Sequence, residues 1–360
     1  MSTRIKEATD GTTNWPVDGL EYMGHCPVCG STSRERFYEG LNDHVFDAPG
    51  NWTMFKCGGC GSGYLDPRPT RETIGLAYKN YFTHEPDPLP TGGSFWKRSR
   101  VAIRNAYLNR KFGYKFTPAV PWGFWVMHLL PSPLRLEWDH LARHLRPPQP
   151  GHNRLLDVGC GNGAFLSRAR QAGWKAFGTD FDPNAGKVAK AEGAEIWIGD
   201  FRDAPFVEGS FDVVTSDQVI EHVHEPKDFL AHIYKWLKPG GRLWLGTPSF
   251  QCRIHDHFGS SYANLHPPQH LTVFSNEAII NLIKDAGFSE PRVLRRGFFE
   301  YAETMGSIAI SRGKRREEFF TYRAHATAFE KGLGFWYELL AWLRPVGASD
   351  LVIVATKSAR

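Results

Sequence analysis

The sequence predicts an α/β chain built on an open, Rossmann-like sheet, and three observations carry that prediction. Residues Leu155 to Phe165 read LLDVGCGNGAF: an apolar run with an acid, then glycine at every second position before an amphipathic segment. Downstream, short apolar runs alternate with helical patterns to about Arg296, the alternation that builds βα units around a parallel sheet. Upstream lie two Cys-x-x-Cys pairs and a proline-broken helical stretch, so smaller additions precede the core.

A chain of 360 residues exceeds one average domain. Its apolar fraction of 41% and charged fraction of 22% are those of an ordinary soluble globular protein. No apolar run approaches the roughly 20 residues of a membrane-spanning helix, and the polar N-terminus lacks a signal peptide's apolar region, so a cytoplasmic location is expected. The net charge of +5 is too slight to argue for nucleic acid by itself. Its distribution says more: from Pro88 to Leu136 there is no Asp or Glu, while Lys97, Arg98, Arg100, Arg104, Arg110, Lys111, Lys115 and Arg135 lie inside that window.

In chain order, residues 1–20 are polar and aperiodic and read as a mobile tail. Residues 21–70 hold Cys26-Pro-Val-Cys29-Gly and Cys57-Gly-Gly-Cys60-Gly. Each word makes a turn that aims two thiolates at one point, so Cys26, Cys29, Cys57 and Cys60 are the expected ligands of a structural zinc ribbon, with a hairpin around Phe37 to Phe55. Residues 71–146 are helical but interrupted by Pro118, Pro121, Pro131 and Pro133. Between the breaks, Trp122, Phe124, Trp125, Met127, Leu129 and Leu130 cluster. Three readings stand for this segment: a cap over the acceptor, accessory packing, and a basic apolar face for membrane or nucleic acid. Its lack of acids favours an anionic, phosphate-bearing acceptor and leaves peripheral membrane contact open.

The core, residues 147–360, starts behind the Pro147–Gly151 linker, with strands expected at 154–158, 175–179, 195–198, 211–216, 242–246, 292–296 and 351–355. Two helices at about 300–345 form an insertion before the last strand. By pattern alone, Gly159, Gly161 and Ala164 fit the G-x-G-x-x-G/A dinucleotide fingerprint, which leaves NAD formally open. An acid about 20 residues on, at the end of the second strand, can accept hydrogen bonds from ribose hydroxyls. Asp180 is that residue, because Asp182-Pro183 reads as the cap and first residue of the next helix.

The words around the glycines narrow the cofactor. LLDVGCGNGAFL, with Asp157, resembles motif I of the class I S-adenosylmethionine (SAM) methyltransferases, and Gly199-Asp200-Phe201, Asp217-Gln218 and the LKPGG turn at 237–241 follow in that family's order. The resemblance spans Arg154 to about Arg296. It implies a seven-stranded SAM-methyltransferase sheet in which Gly159, Gly161 and Gly163 admit the methionyl part and Asp157 helps hold its amino group. It also implies Asp180 on the ribose, Asp200 and Phe201 on the adenine, and Asp217 and Gln218 nearby. The segments GYLDPRPT and LAYKNYF after the ribbon are similar to zinc-ribbon methyltransferases of specialised-metabolite and surface-glycan pathways.

Methyl transfer from a sulfonium needs the acceptor held in line and, for a hydroxyl, removal of one proton. Glu221-His222 resembles the Glu-His of ubiquinone-type O-methyltransferases and of small-RNA 2′-O-methyltransferases; in the latter two glutamates and a histidine, with a downstream histidine, bind a divalent metal. Here Gln218 stands in place of the first glutamate. The loop from Thr247 to Phe274 carries His255, Asp256, His257, His266 and His270. The catalytic candidates are His222, Glu221, His266 and His270. The expected function is methyl transfer to oxygen of a small-molecule or glycan-like acceptor. An RNA methyltransferase gripping phosphates with ribbon and basic helices, and a SAM-binding protein without chemistry, are the alternatives.

Overall fold

The computed structural model describes residues 15–79, 95–129, 132–191 and 193–359. The expected tail up to residue 14, Leu130 and Pro131 of the proline-broken segment, and LAYKNYF beyond Lys79 lie outside the described residues. The described residues begin inside the stretch expected as a tail, and there Trp15 is buried edge-on against Trp52 with ring centroids 5.3 Å apart.

The N-terminal part contains β1 (Leu20–Glu21), β2 (Arg34–Leu41), β3 (Trp52–Cys57), β4 (Gly63–Leu65) and β5 (Arg68–Pro69). Three helices follow, α1 (Phe95–Phe112), α2 (Gly123–Leu129) and α3 (Ser132–Leu141). They share a small core around Tyr107, Phe112 and Met127.

The core then runs β6 (Arg154–Val158), α4 (Ala164–Gln171), β7 (Lys175–Asp180), α5 (Pro183–Ala191), β8 (Glu195–Ile198), β9 (Phe211–Asp217), α6 (Pro226–Trp236) and β10 (Leu237–Pro248). After α7 (Arg253–Phe258), β11 (Thr272–Val273), α8 (Asn276–Asp285) and β12 (Phe288–Leu294) come α9 (Glu300–Ser311), α10 (Glu317–His325) and α11 (Ala328–Leu343), and β13 (Asp350–Lys357) closes the chain. The seven-stranded sheet has the order β12-β13-β10-β9-β6-β7-β8, with β13 antiparallel to both neighbours. Strands β6 and β9 are buried on both faces, which is why they read as near-continuous apolar runs. The chain leaves β6 toward β7 and β8, then returns to β9 on the other side. That reversal opens a crevice at the carboxyl ends of β6 and β9.

Four expectations change. The LKPGG word is the start of β10 rather than a turn before it: Leu237 pairs with Phe211, and the register shifts before Arg242. Strand β12 starts at Phe288, four residues earlier than expected, and bulges between Ser289 and Arg292. The insertion holds three helices, because Thr327 caps a new one through a reciprocal pair of bonds with Glu330. The long loop after β10 is structured: it forms α7, and β11 joins the ribbon sheet in the order β11-β4-β3-β2. Thr272 pairs with Tyr64 and Val273 with Gly63. The Ser275 hydroxyl, which caps α8, donates to the Cys60 carbonyl. Ribbon and core therefore share a sheet and a hydrophobic cluster that includes Cys26, Tyr64, Phe274 and Ile279.

Candidate active site

The crevice is a cavity of about 590 Å³. Its floor is the turn after β6. Gly159 has φ +75°, and a Cβ there would lie 2.2 Å from Val219, so only glycine fits. Gly161 donates its N–H to Asp180 at 2.8 Å. Gly163, expected at the cofactor, is not among the residues lining the cavity; a Cβ on it would press on Ala189 at 2.9 Å, so its role is the close approach of α4 and α5.

Asp180 lines the cavity and also accepts from the Asp182 N–H at 2.9 Å. Burial outweighs these bonds and raises its carboxyl to about 6. Asp182 caps α5 by accepting from Asn184 N–H at 2.8 Å, as its place before Pro183 suggests. Asp200 and Phe201 line the same space. Arg202 clamps the Asp200 carboxylate with Nε at 2.9 Å and holds it below its ordinary range. Phe201 stands edge-on to Phe229.

Asp157 is the clearest correction. It is fully buried and does not line the cavity; the Arg143 guanidinium pairs with it, and Thr215 Oγ1 donates to it at 2.9 Å. Arg143 lines the cavity in its place and also covers the Phe165 ring. Arg143 follows α3 with φ +47°. It belongs to no motif word, so nothing in the local sequence marked it. Asp217 lines the cavity beside His140 Nε2 at 3.3 Å. Burial would raise this carboxyl, but His140, Arg296 and Arg143 outweigh it and keep it below the usual carboxylate range. Gln218 takes φ +57° and donates to Asp350, which also pairs with Arg296.

Of the four catalytic candidates, only His222 lines the cavity. Its Nδ1 lies 2.8 Å from the Gln269 carbonyl and 3.0 Å from the Tyr78 hydroxyl. The carbonyl fixes the proton on Nδ1 and leaves Nε2 with the lone pair. Burial lowers this histidine to about 4, so the ring is neutral at neutral pH. Glu221 lies behind it, fully buried, accepting from Thr247 Oγ1 at 2.9 Å, and burial raises it to about 8. The His270 ring meets His222 edge-on at 4.8 Å, with its Nδ1 on the Asn264 carbonyl at 2.8 Å. His266 packs against His270 at 5.1 Å, away from the cavity. Glu221, His222 and His270 bring one ligand atom each within 4.8 Å of one another. His255 and His257 are spent elsewhere, on Tyr38 and Tyr337. Tyr78 and Arg71, delivered by the segment after the ribbon, also line the cavity.

The four ribbon cysteines lie within 4.8 Å of one another, Cys26 3.7 Å from Cys60 and Cys29 3.5 Å from Cys57. A tetrahedral zinc about 2.3 Å from each sulfur sets edges of about 3.8 Å, so the donor set fits. Among the described residues no helix is long and apolar enough to cross a membrane.

A family model described as a methyltransferase domain matches residues 132–290. A ubiquinone biosynthesis O-methyltransferase of Bordetella avium is 34% identical over 124 residues, 32% of this chain and 49% of that protein. An uncharacterised 37.1 kDa transposon protein of Streptomyces fradiae is 29% identical over 160 residues, 41% of this chain and 46% of that one. The chain thus spans about half the length of the curated relatives it matches. Among solved structures, a Haloferax volcanii putative methyltransferase complex with the Trm112 activator aligns at 18% identity and TM-score 0.43, covering 71% of this chain and 97% of the matched one.

Proposed function

We propose, from the match of residues 132–290 to a methyltransferase domain and the likeness of the glycine turn to class I SAM methyltransferases, that the chain moves the methyl group of SAM to an oxygen of a small-molecule or glycan-like acceptor. His222 takes the acceptor's proton. The observation that carries this reading is the His222 ring, on the cavity wall, with Nδ1 tied to a backbone carbonyl and Nε2 left as a base. The similarity to ubiquinone biosynthesis O-methyltransferases supports oxygen as the receiving atom.

SAM supplies an already activated methyl group. The chain's own residues have to orient it and handle one proton. Asp180 accepts from the ribose hydroxyls, Phe201 packs on the adenine, and Asp200 and Gln218 border it. Arg143 faces the methionyl carboxylate, a role the buried Asp157 supports by fixing the guanidinium. Tyr78 and the Gln269 carbonyl hold the His222 ring. Arg71 and Arg168 on the wall support an anionic, phosphate-bearing acceptor. Cys26, Cys29, Cys57 and Cys60 hold a structural zinc. Exposed Trp122 and Trp125, on the acid-free segment, support peripheral membrane contact.

His222→Ala should reduce turnover at least ~100-fold with SAM affinity unchanged. Turnover equal to that of the wild type removes His222 from the mechanism. The acceptor is sought by incubating labelled SAM with cell extract and collecting products heavier by one methylene.

One observation favours a second reading, a divalent cation at Glu221, His222 and His270. Both histidines have Nδ1 on carbonyls, so both Nε2 atoms are free to ligate, and Glu221 Oε1 has no hydrogen-bond partner among the described residues. A cation there would polarise the acceptor oxygen. Full turnover after chelation, with no metal beyond the ribbon's, excludes it.

A further inference from the structure

We propose that the face made by α1 and α2 docks on the headgroup region of an anionic bilayer. The proposal rests on the peripheral membrane contact named above and fixes its face and the charge of its lipid. The way α2 is anchored decides which of its sides stays open. Gly123 is buried against α1, where a Cβ on it would lie 2.9 Å from the Ile103 Cα, and Met127 is buried in the cluster of Tyr107 and Leu108. That close approach turns the opposite side of the helix outward. Trp122, whose carbonyl accepts the first bonds of α2, stands there with Trp125 and Leu129, at 55%, 62% and 86% exposure. The spacing of three and four residues puts all three side chains on one face.

Charge decides what covers that face. Residues 88–136 contain no Asp or Glu. The next acids along the chain are turned in, Asp139 buried and Glu137 half-buried, and Lys111 is spent on Asp139. Lys97, Arg98, Arg100 and Arg110 are exposed and have no carboxylate partner among the described residues. The Arg110 guanidinium lies 5.6 Å from the Trp125 ring centroid, so unpaired positive charge and aromatic surface meet in one place. Along α1, Trp96, Ile103 and Arg110 recur every seven residues, and the last two touch α2 or the turn before it. Trp96, 75% exposed, therefore stands on the same side.

Indole rings settle at the boundary between headgroups and acyl chains, while unpaired cations meet the acidic headgroups. A bilayer offers both layers at once, charge outside and hydrocarbon beneath. A nucleic acid would match the cations and the rings, but it has no apolar layer for Leu129, so the observations favour lipid.

The test is co-sedimentation of the full chain with vesicles of phosphatidylcholine alone and of phosphatidylcholine mixed equally with phosphatidylglycerol. The chain should pellet with the mixed vesicles and stay in solution with the neutral ones. Each cation near an anionic surface contributes roughly fivefold to partitioning, so Arg98→Glu combined with Arg100→Glu should weaken binding at least ~25-fold. Trp122→Ser combined with Trp125→Ser should weaken it at least ~tenfold. Both double variants should keep the wild-type far-UV spectrum and SAM affinity; should the tryptophan pair misfold, the arginine pair, at exposed positions, carries the test. Binding to neither vesicle overturns the proposal. Equal pelleting with both overturns the anionic assignment while leaving a peripheral contact, and mixed-vesicle binding that survives the arginine pair overturns the face. Salt-sensitive binding of single-stranded RNA, lost in the same variants and without vesicle binding, overturns it in favour of a nucleic acid. None of these readouts uses turnover, so the methyl-transfer reading stands or falls apart from them.

Discussion

Gly159 is where backbone sterics leave least freedom. With φ +75° and Val219 2.2 Å from any added Cβ, Gly159→Ala should weaken SAM binding more than tenfold by calorimetry, and Val219→Ala in the same chain should restore part of it. Asp180 gives a pH dependence with a definite sign. Burial raises it from 3.8 to about 6, and in its proposed role the ribose hydroxyls donate to its ionised form. SAM affinity should therefore be flat above pH 6 and fall about tenfold per unit below it, since binding must then expel a proton. The same raised pKa makes its contribution to folding stability decline as pH rises from 3.8 through 6, so a melting curve moves opposite to affinity. Asp180→Asn should abolish the break in the affinity profile. Arg143→Leu strands the buried Asp157 charge and should destabilise by about 3–5 kcal/mol in urea unfolding; adding Asp157→Asn should recover much of that. A loss below 1 kcal/mol would mean that Asp157 finds another partner.

At the scale of elements, the ribbon and the histidine-bearing loop after β10 are one unit. β4 carries Tyr64 and Gly63 opposite Thr272 and Val273, and the Leu271 N–H donates to the Glu221 carbonyl at 2.9 Å. Gln269 and His270, which position His222, directly precede this strand. With the proposed zinc in the ribbon, chelation, or Cys57→Ser, should therefore lower the melting temperature and reduce turnover more than SAM affinity. Preserved turnover in demetallated protein would show that the loop holds its shape alone. Much of this architecture was legible: the strand–glycine turn–helix at 154–171, the Ser275 cap and the two cysteine turns each depend on a few adjacent residues. β11 was not legible, because a two-residue strand has no periodicity and is defined by its partner 200 residues away in the chain.

For the whole molecule, the insertion of α9 to α11 before β13 lets α11 place an apolar face outward while burying both of its own glutamates, Glu330 and Glu338. A helix whose charges are inside cannot be recognised from its sequence, since hydrophobic periodicity marks the apolar side of a helix without saying which side faces the core.

The sequence by itself determined the cofactor turn, the α/β class, the acid at 180 and the paired thiols, because each is a local pattern imposed by backbone sterics or by ligand spacing. Only the tertiary structure decided that Arg143 rather than Asp157 faces the cavity, that Gly163 serves helix packing, and that His222 alone among four candidates lines the cavity. Those outcomes depend on which side chain lies in front of which, a relation set by long-range packing between residues far apart in the chain.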